Sequence, residues 1–191
     1  AEDDQRRAHN DLWHSDVTFR HSPPLGSILC GRVIPPVGGD TLFADMYAAY
    51  EGLDEKIKAK IDDARAVHVW PDAWVNMAMK SQNLDQDEFW RRYPNPAHPV
   101  VRKHPQTGRR SLFVNTAFTR HIVGMEKSES DALLAFLYNQ ATIPEYQCRF
   151  RWRKNSVAFW DNRCTQHYAA ADFYPQKRVV ERITISGDKP V

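Results

Sequence analysis

The chain has 191 residues, of which 42% are apolar and 26% are charged, and its formal net charge is +2. A chain of this length and composition forms one globular domain with a sizeable core, which excludes an intrinsically disordered protein. The small net charge argues against nucleic acid as the main partner. We see no apolar run long enough to span a bilayer and no secretory pattern, so we expect no membrane partner.

The three cysteines, Cys30, Cys148 and Cys164, are odd in number and lack the spacing of a zinc finger. Reduced thiols are the simplest interpretation, and they predict a cytoplasmic protein.

The segment WHSDVTFR, residues 13–20, is predicted as a strand that carries a histidine and an aspartate two residues apart. Side chains two apart on a strand point to the same face, so His14 and Asp16 would stand side by side. Such a pair is either part of a metal site that lacks its third ligand or an ordinary hydrogen-bonded pair. The spacing alone leaves both interpretations open.

The first half of the chain then mixes strand and helix patterns. Residues 27–34 form a predicted strand between prolines and a glycine. Asp45 is predicted to cap a short helix that runs to Tyr50. We predict a second helix over residues 53–65 from two isoleucines four positions apart. Residues 71–99 are rich in aromatic residues and prolines, and we interpret them as an active-site insertion with some helix.

The second half continues with a hairpin and a longer helix. Residues 100–115 read as strand, turn and strand. Residues 127–141 form a predicted amphipathic helix with Ser128 or Ser130 as its N-cap. Its buried side is predicted to consist of Leu133, Leu134, Phe136 and Leu137.

The end of the chain is dominated by strand patterns. Residues 146–153 alternate between apolar and polar residues, which predicts a half-buried strand. Its arginine face is interpreted as solvated, with anion binding as the alternative. Strands over 156–160 and 177–186 follow. Many short strands with turns between them predict a mainly β protein with flanking helices, built on a double-stranded β-helix (jelly-roll) core.

A third metal ligand is expected on a strand that returns beside the first, and His167 in WDNRCTQHY is the candidate. Two histidines and one carboxylate on one face of an octahedron leave three positions open, as in the facial triad of non-haem Fe(II) oxygenases. Structural zinc would instead close its coordination. Arg178 and Arg182, four apart on the last strand, would share a face and could each meet an anion. Thr41 offers a hydroxyl after a Gly-Gly turn.

Four blocks of sequence carry a resemblance to a known family: WHSDVTF (13–19), PPVGGDTLFADMYAAYE (35–51), HPVVRKHPQTGRRSLFVN (98–115) and WDNRCTQHYAAADFYPQKRVVERITISGDKP (160–190). In this order they resemble the taurine dioxygenase family of Fe(II)- and 2-oxoglutarate-dependent enzymes, which includes 2,4-dichlorophenoxyacetate dioxygenases and alkylsulfatases. The resemblance implies Fe(II) as cofactor, with 2-oxoglutarate and O2 as cosubstrates. It also implies hydroxylation of a small sulfonate such as taurine at the carbon bearing sulfur, with release of sulfite and an aldehyde.

The resemblance also implies roles for single residues. His14, Asp16 and His167 match the iron ligands, and Thr41 and Arg178 match residues that hold 2-oxoglutarate. The remaining matches are Asn10 near the cosubstrate or substrate, Arg182 on the sulfonate, and Val17, Phe19 and Phe118 in the substrate pocket. For the two phenylalanines, core packing is the equal alternative.

The family has a further stretch of chain before the metal strand, with a histidine and a tyrosine of the substrate pocket. We therefore expect residues 1–191 to be a single catalytic domain without that N-terminal segment. Members of the family often form dimers or tetramers, so a homo-oligomer is expected. Two alternatives stay open: the same chemistry on an alkyl sulfate ester or an aryloxyalkanoate, and a jelly-roll protein that binds metal and anion without catalysis.

Overall fold

A computed structural model describes residues 11–191, which contain eleven strands and five helices. The strands are Gly26–Val33 (β1), Thr41–Asp45 (β2), Arg65–His68 (β3), Ala97–Pro99 (β4), Val101–Lys103 (β5), Arg110–Leu112 (β6), Thr119–Ile122 (β7), Gln147–Phe150 (β8), Val157–Asp161 (β9), Thr165–Ala169 (β10) and Val179–Ile185 (β11). The helices are Met46–Glu51 (α1), Glu55–Ile61 (α2), Asp72–Gln82 (α3), Gln86–Arg92 (α4) and Lys127–Asn139 (α5). Two short 3-10 turns, Gln140–Thr142 and Pro144–Tyr146, follow α5.

Two antiparallel three-stranded sheets form the centre of the fold, in the orders β11-β1-β9 and β10-β2-β8. Their inner faces meet where Phe43 of β2 contacts Trp160 of β9, with ring centroids 5.3 Å apart. A third sheet, β4-β3-β7, and the β5-β6 hairpin lie outside this pair. The predicted mainly β fold with flanking helices and a jelly-roll core is confirmed. Among residues 11–191, no helix is both long and apolar enough to cross a membrane.

The main core lies between the β-strands and the helices α1 and α5. Leu134 and Leu137 of α5 are buried together with Met46 of α1 and Leu112 of β6. Asp45 caps α1 as predicted: its Oδ1 accepts hydrogen bonds from the backbone of Tyr47 at 2.8 Å and of the next residue at 3.3 Å. The core therefore fixes β2, which leads into α1, against the rest of the sheet.

Two helix predictions need correction. The second helix ends at Ile61, and Arg65 already begins β3, because Ala66 and His68 alternate into the core as strand residues do. The cap of α5 is Glu126, whose carboxylate accepts from the backbone of the first helical turn, and neither predicted serine takes this role. Ser130 is instead buried and accepts a hydrogen bond from Ile122 N at 2.8 Å.

Two burial predictions are also wrong. Phe136 is 45% exposed, because it lies at the edge of the α5 stripe on which the three leucines are buried. The strand predicted over 146–153 ends at Phe150, and Cys148 on its supposed inner face is exposed. Of its arginine face, Arg149 forms an ion pair with Asp40 at 2.7 Å. Residues 71–99 contain α3, α4 and β4, as the expectation of some helix required.

Candidate metal centre

Two histidines from distant parts of the chain face each other across an antiparallel bridge. His14 N donates to His167 O at 3.1 Å, and His167 N donates to His14 O at 2.8 Å. Residues directly opposite each other in an antiparallel pair present their side chains on the same face. The two imidazole rings accordingly lie 4.2 Å apart, and both residues are buried.

Asp16 reaches the same point by a turn, and the predicted strand over residues 13–20 is wrong. Only His14 forms a bridge, and the chain then turns from Asp16 to Phe19, with Val17 at a φ of +55°. The turn brings Asp16 Oδ1 to 3.8 Å from Nε2 of both histidines. The three expected ligands are thus brought together, by a turn rather than by the alternation of a strand.

Hydrogen bonds orient the ligand atoms of this cluster. His14 Nδ1 donates to Leu12 O at 2.7 Å, which leaves the lone pair of Nε2 directed at the cluster. Ser27 Oγ donates to Asp16 Oδ2 at 2.9 Å, which leaves Oδ1 on the side of the histidines. Hydrogen bonds therefore orient His14 and Asp16, while His167 is placed by its backbone bridge to His14 and by the Trp160 ring beside it.

The charges of the cluster suit metal ligation. Burial lowers the pKa of His167 to about 3, with a further contribution from His14, so its imidazole is neutral at physiological pH. Burial alone would raise the pKa of the Asp16 carboxyl, but His167, Arg182, His14 and the Ser27 hydrogen bond together lower it from its ordinary value. A neutral imidazole and an ionised carboxylate are the forms that bind a metal.

The donor set fits a divalent transition metal. The three ligand atoms lie within 4.8 Å of one another, close enough to be drawn onto one ion. Two imidazoles and one carboxylate form the facial set that leaves open coordination positions.

Within residues 11–191, His167 Nδ1 is buried without a hydrogen-bond partner, as is Arg178 Nε. The same range contains a second group of this kind, His104, Asp161 and Cys164.

That second group does not fit a metal. His104 Nε2 donates to Asp161 Oδ2 at 3.0 Å, and its Nδ1 accepts from two backbone N–H groups. Arg163 holds both oxygens of Asp161, at 2.8 Å and 2.6 Å. Both imidazole nitrogens and both carboxylate oxygens are therefore already used, and the group is a hydrogen-bonded support for the β9–β10 turn.

The two expected cosubstrate residues flank the cluster. Thr41 lies opposite Ala169 in the β2–β10 register, on the face that carries His167. Its Oγ1 accepts from Trp152 Nε1 at 2.9 Å, so its own O–H is left to donate. The Arg178 guanidinium lies 5.6 Å from the Trp152 ring centroid. Burial lowers the pKa of this guanidinium and Asp40 partly restores it, so the group gains from a bound anion.

The Gly-Gly turn before Thr41 gives the Arg178 side chain its room. Gly38 and Gly39 have φ values of +78° and +72°, and a Cβ on Gly39 would lie 2.9 Å from Arg178 Cδ. Any other residue at Gly39 would therefore be strained and would push Arg178 away.

Arg182 lies on the last strand as predicted, but the carboxylate that it contacts is one that the sequence does not indicate. Its Nη1 donates to Asp16 Oδ1 at 3.1 Å, the oxygen that faces both histidines, while 39% of its side chain is exposed. The expected pocket residues are close by: Phe118 lies 6.2 Å from the His14 ring and 5.0 Å from the Phe19 ring. Val17 and Phe19 are buried in the turn after Asp16, which fits packing as well as contact with a ligand. Asn10 lies outside the described residues.

Comparison with known proteins assigns the chain to a family. Residues 1–184 match the family described as "Taurine catabolism dioxygenase TauD, TfdA family". The chain belongs to the TauD/TfdA family. It is similar to a taurine dioxygenase from Burkholderia xenovorans of known crystal structure, with 41% identity and a TM-score of 0.81 over 94% of this chain and 58% of that one.

Two curated relatives of this TauD/TfdA chain carry different names. A putative alpha-ketoglutarate-dependent sulfonate dioxygenase from Schizosaccharomyces pombe is 38% identical over 98% of this chain and 47% of its own. An alkylsulfatase from Acinetobacter baylyi is 39% identical over 97% of this chain and 60% of its own. The chain thus spans about half to three fifths of the length of these relatives.

Some residues that shape this TauD/TfdA site are missed by sequence reasoning. The sequence indicates Ser27 only as the first residue of a strand, and Asn162 only as part of the segment WDNRCTQHY. Asn162 holds the backbone of Asp16, and Trp160 packs its ring 4.8 Å from the His167 ring. The WDN letters before His167 were the available signal for Trp160 and Asn162. For Ser27 the sequence holds no signal, because its contact with Asp16 depends on the path of the turn.

Proposed function

We propose that the chain is the catalytic part of an Fe(II)- and 2-oxoglutarate-dependent dioxygenase that hydroxylates a small sulfonate at the carbon bearing sulfur. Taurine is the model substrate. The hydroxylated product releases sulfite and leaves an aldehyde, while 2-oxoglutarate is oxidised to succinate and CO2. The observation that carries the proposal is the convergence of His14, Asp16 and His167, with Arg182 against the same carboxylate.

The metal ligands are His14 Nε2, Asp16 Oδ1 and His167 Nε2. Bound there, Fe(II) activates O2 with electrons from 2-oxoglutarate and supplies the oxidising chemistry. The protein contributes orientation: the Leu12 carbonyl and the Ser27 hydroxyl fix which atom of His14 and of Asp16 faces the metal. The packing of Phe43 and Trp160 against the His167 ring keeps bulk water away from that ligand.

2-Oxoglutarate has two carboxylates, and the chain offers a separate partner for each. The Arg178 guanidinium, partly desolvated beside Trp152, is suited to the distal carboxylate because a fork of two N–H groups matches two oxygens. The Thr41 hydroxyl, on the His167 face of β2, donates to the carboxylate nearer the metal. These assignments are supported by the Nε atom of Arg178, which is buried and unpartnered within residues 11–191.

Arg182 is the cation for the anionic group of the substrate. Its guanidinium contacts Asp16, so an anion that it binds lies next to the metal. Since 39% of the side chain is exposed, it can turn from Asp16 toward an incoming sulfonate. A sulfate ester or a carboxylate would satisfy the same guanidinium, and one relative is named an alkylsulfatase. An alkyl sulfate or an aryloxyalkanoate is therefore the second candidate substrate.

The test is product analysis with Fe(II), 2-oxoglutarate and air. Sulfite from taurine in equal amount to succinate supports the proposal, and Asp16→Ala must abolish both products by loss of metal. Succinate that depends on an alkyl sulfate or an aryloxyalkanoate moves the assignment to the second candidate. If no substrate gives succinate although iron is bound, the proposed enzymatic activity is refuted, and a protein that binds metal and anion without catalysis is the remaining interpretation. An Arg151→Gln variant, at an exposed position just after β8, is the matched control and keeps full turnover.

A further inference from the structure

Asn162 lies in the turn between β9 and β10, and its side chain forms hydrogen bonds with the backbone of Asp16. Its Oδ1 accepts from Asp16 N at 2.6 Å, and its Nδ2 donates to Asp16 O at 3.0 Å and to Pro24 O at 3.1 Å. The residue is completely buried. All three hydrogen bonds join segments that are more than a hundred positions apart in the chain.

The first two of these bonds fix the conformation of Asp16 itself. The N–H belongs to the peptide group before its Cα, and the C=O belongs to the peptide group after it. Both peptide planes that flank Asp16 are therefore held against one amide, which fixes φ and ψ of this residue. The next residue, Val17, has a φ of +55°, a left-handed conformation that disfavours a β-branched side chain. The turn therefore needs outside support to keep its shape.

The support is itself rigid. Asn162 N donates to Leu25 O at 2.8 Å, which ties the turn to the start of β1. The preceding Asp161 carboxylate accepts three hydrogen bonds from Arg163, one of them from its backbone N–H, and a fourth from His104. A side chain anchored in this way can impose its geometry on Asp16 rather than follow it.

We propose that Asn162 is a positioning residue for the metal carboxylate: it sets the Asp16 backbone so that Oδ1 lies equidistant from the two histidine nitrogens. The turn that contains it leads into β10 and hence to His167, so one short segment places two of the three ligands. The proposal rests on the metal site proposed above. It adds that the geometry of this site depends on a residue that touches neither metal nor substrate.

The test measures Mn(II) binding to the chain without cosubstrate, by the loss of the free Mn(II) signal in electron paramagnetic resonance. Asn162→Ala removes all three hydrogen bonds and should raise the Mn(II) dissociation constant roughly 10- to 100-fold. Asn162→Ser is the milder variant, because it adds no charge and keeps a hydroxyl in the turn. One hydroxyl cannot replace both the acceptor for Asp16 N and the donor to two carbonyls, and we expect a rise of about tenfold.

Leu137→Ala in α5 is the control for a merely structural role. It creates a cavity in the core far along the chain from the turn and lowers the melting temperature of the metal-free chain without touching the ligands. If Asn162 only stabilises the fold, its variants lose no more Mn(II) affinity than Leu137→Ala at equal loss of melting temperature. That result would overturn the proposal. If Asn162→Ala does not fold, the comparison is made with Asn162→Ser.

A second readout follows the geometry directly. Co(II) bound to the wild-type chain should give the weak absorption of a high-coordinate site, and Asn162→Ser should shift the band positions and intensity while Leu137→Ala leaves them unchanged. Identical spectra in all three proteins would contradict a positioning role. Failure of the wild-type chain itself to bind Mn(II) would instead refute the proposed metal site, so the two failures can be told apart.

Discussion

Removal of Arg182 should strengthen metal binding and weaken substrate binding at the same time. Its guanidinium donates to Asp16 Oδ1 at 3.1 Å, and this oxygen is the one that faces both histidine nitrogens. A metal ion must therefore displace or share this hydrogen bond, and it must also bind beside a positive charge. Arg182→Gln removes the charge and keeps a side chain of similar reach.

The magnitude follows from the charges and the exposure. A unit charge and a divalent ion about 4–5 Å apart repel by about 2 kcal/mol at the dielectric constant of water. Because 39% of the Arg182 side chain is exposed, the water value applies and salt screens it further, which leaves about 1 kcal/mol. That energy corresponds to a Mn(II) dissociation constant about fivefold lower in Arg182→Gln than in the wild-type chain.

The assay is a Mn(II) titration without substrate at low and at high salt, and the gain should shrink as salt increases. Arg178→Gln is the matched control: this arginine lies just before β11 and makes no hydrogen bond to Asp16, so its loss should weaken 2-oxoglutarate binding and leave Mn(II) affinity unchanged. If Arg182→Gln binds Mn(II) more weakly than the wild-type chain, the arginine supports the carboxylate instead of competing with the metal, and the reasoning fails.

Three further predictions concern single side chains. Ser27→Ala removes the 2.9 Å hydrogen bond to Asp16 Oδ2 and should raise the Mn(II) dissociation constant at least threefold, and an unchanged titration would contradict this. Burial lowers the pKa of His98 from 6.5 to about 4. As the pH falls, this histidine is therefore protonated in the unfolded chain before it is protonated in the folded chain, and the free energy of unfolding falls by up to about 3 kcal/mol between pH 6.5 and 4. In His98→Gln the free energy of unfolding, measured in urea at each pH, should fall less between pH 6.5 and 4 than in the wild-type chain. An equally steep fall would refute the role of His98. Asp45→Ala removes the cap of α1 and should cost about 1 kcal/mol in urea unfolding, with Asp11→Ala unchanged as control.

The sequence predicts the fold class and the three candidate metal ligands, because strand alternation and the residue types of a ligand set can be recognised without knowing the path of the backbone. Alternation identifies β1, β9 and β11, and the pairing of H-x-D with a distant histidine identifies the cluster. The reasoning about the first segment nevertheless fails, since it places His14 and Asp16 on one face of a strand. The actual contact depends on the left-handed conformation of Val17, which no residue pattern indicates for a β-branched side chain.

The supporting residues are harder to predict for a different reason. Ser27 acts through one hydrogen bond to Asp16, eleven residues away in the chain, and Asn162 acts through three hydrogen bonds to Asp16 and Pro24, more than a hundred residues away. These contacts depend on how the turn at Asp16 is placed, which no local residue pattern specifies. The cap of α5 shows the same limit on a smaller scale, because Glu126 was available in the sequence but serines are the more frequent caps. The same limit applies to the charged residue Arg182, since the strand pattern indicates the face on which it lies but does not indicate that Asp16 is its partner.

The backbone bridge between His14 and His167 makes the site a product of complete folding. The two ligands are separated by most of the chain, so the bridge closes only after the strands between them have paired. A partly synthesised or partly folded chain has the individual ligands but not the cluster, and a metal stabilises the folded form alone. A metal bound at the proposed site would therefore be taken up by folded molecules alone, because only the complete fold brings His14 and His167 together.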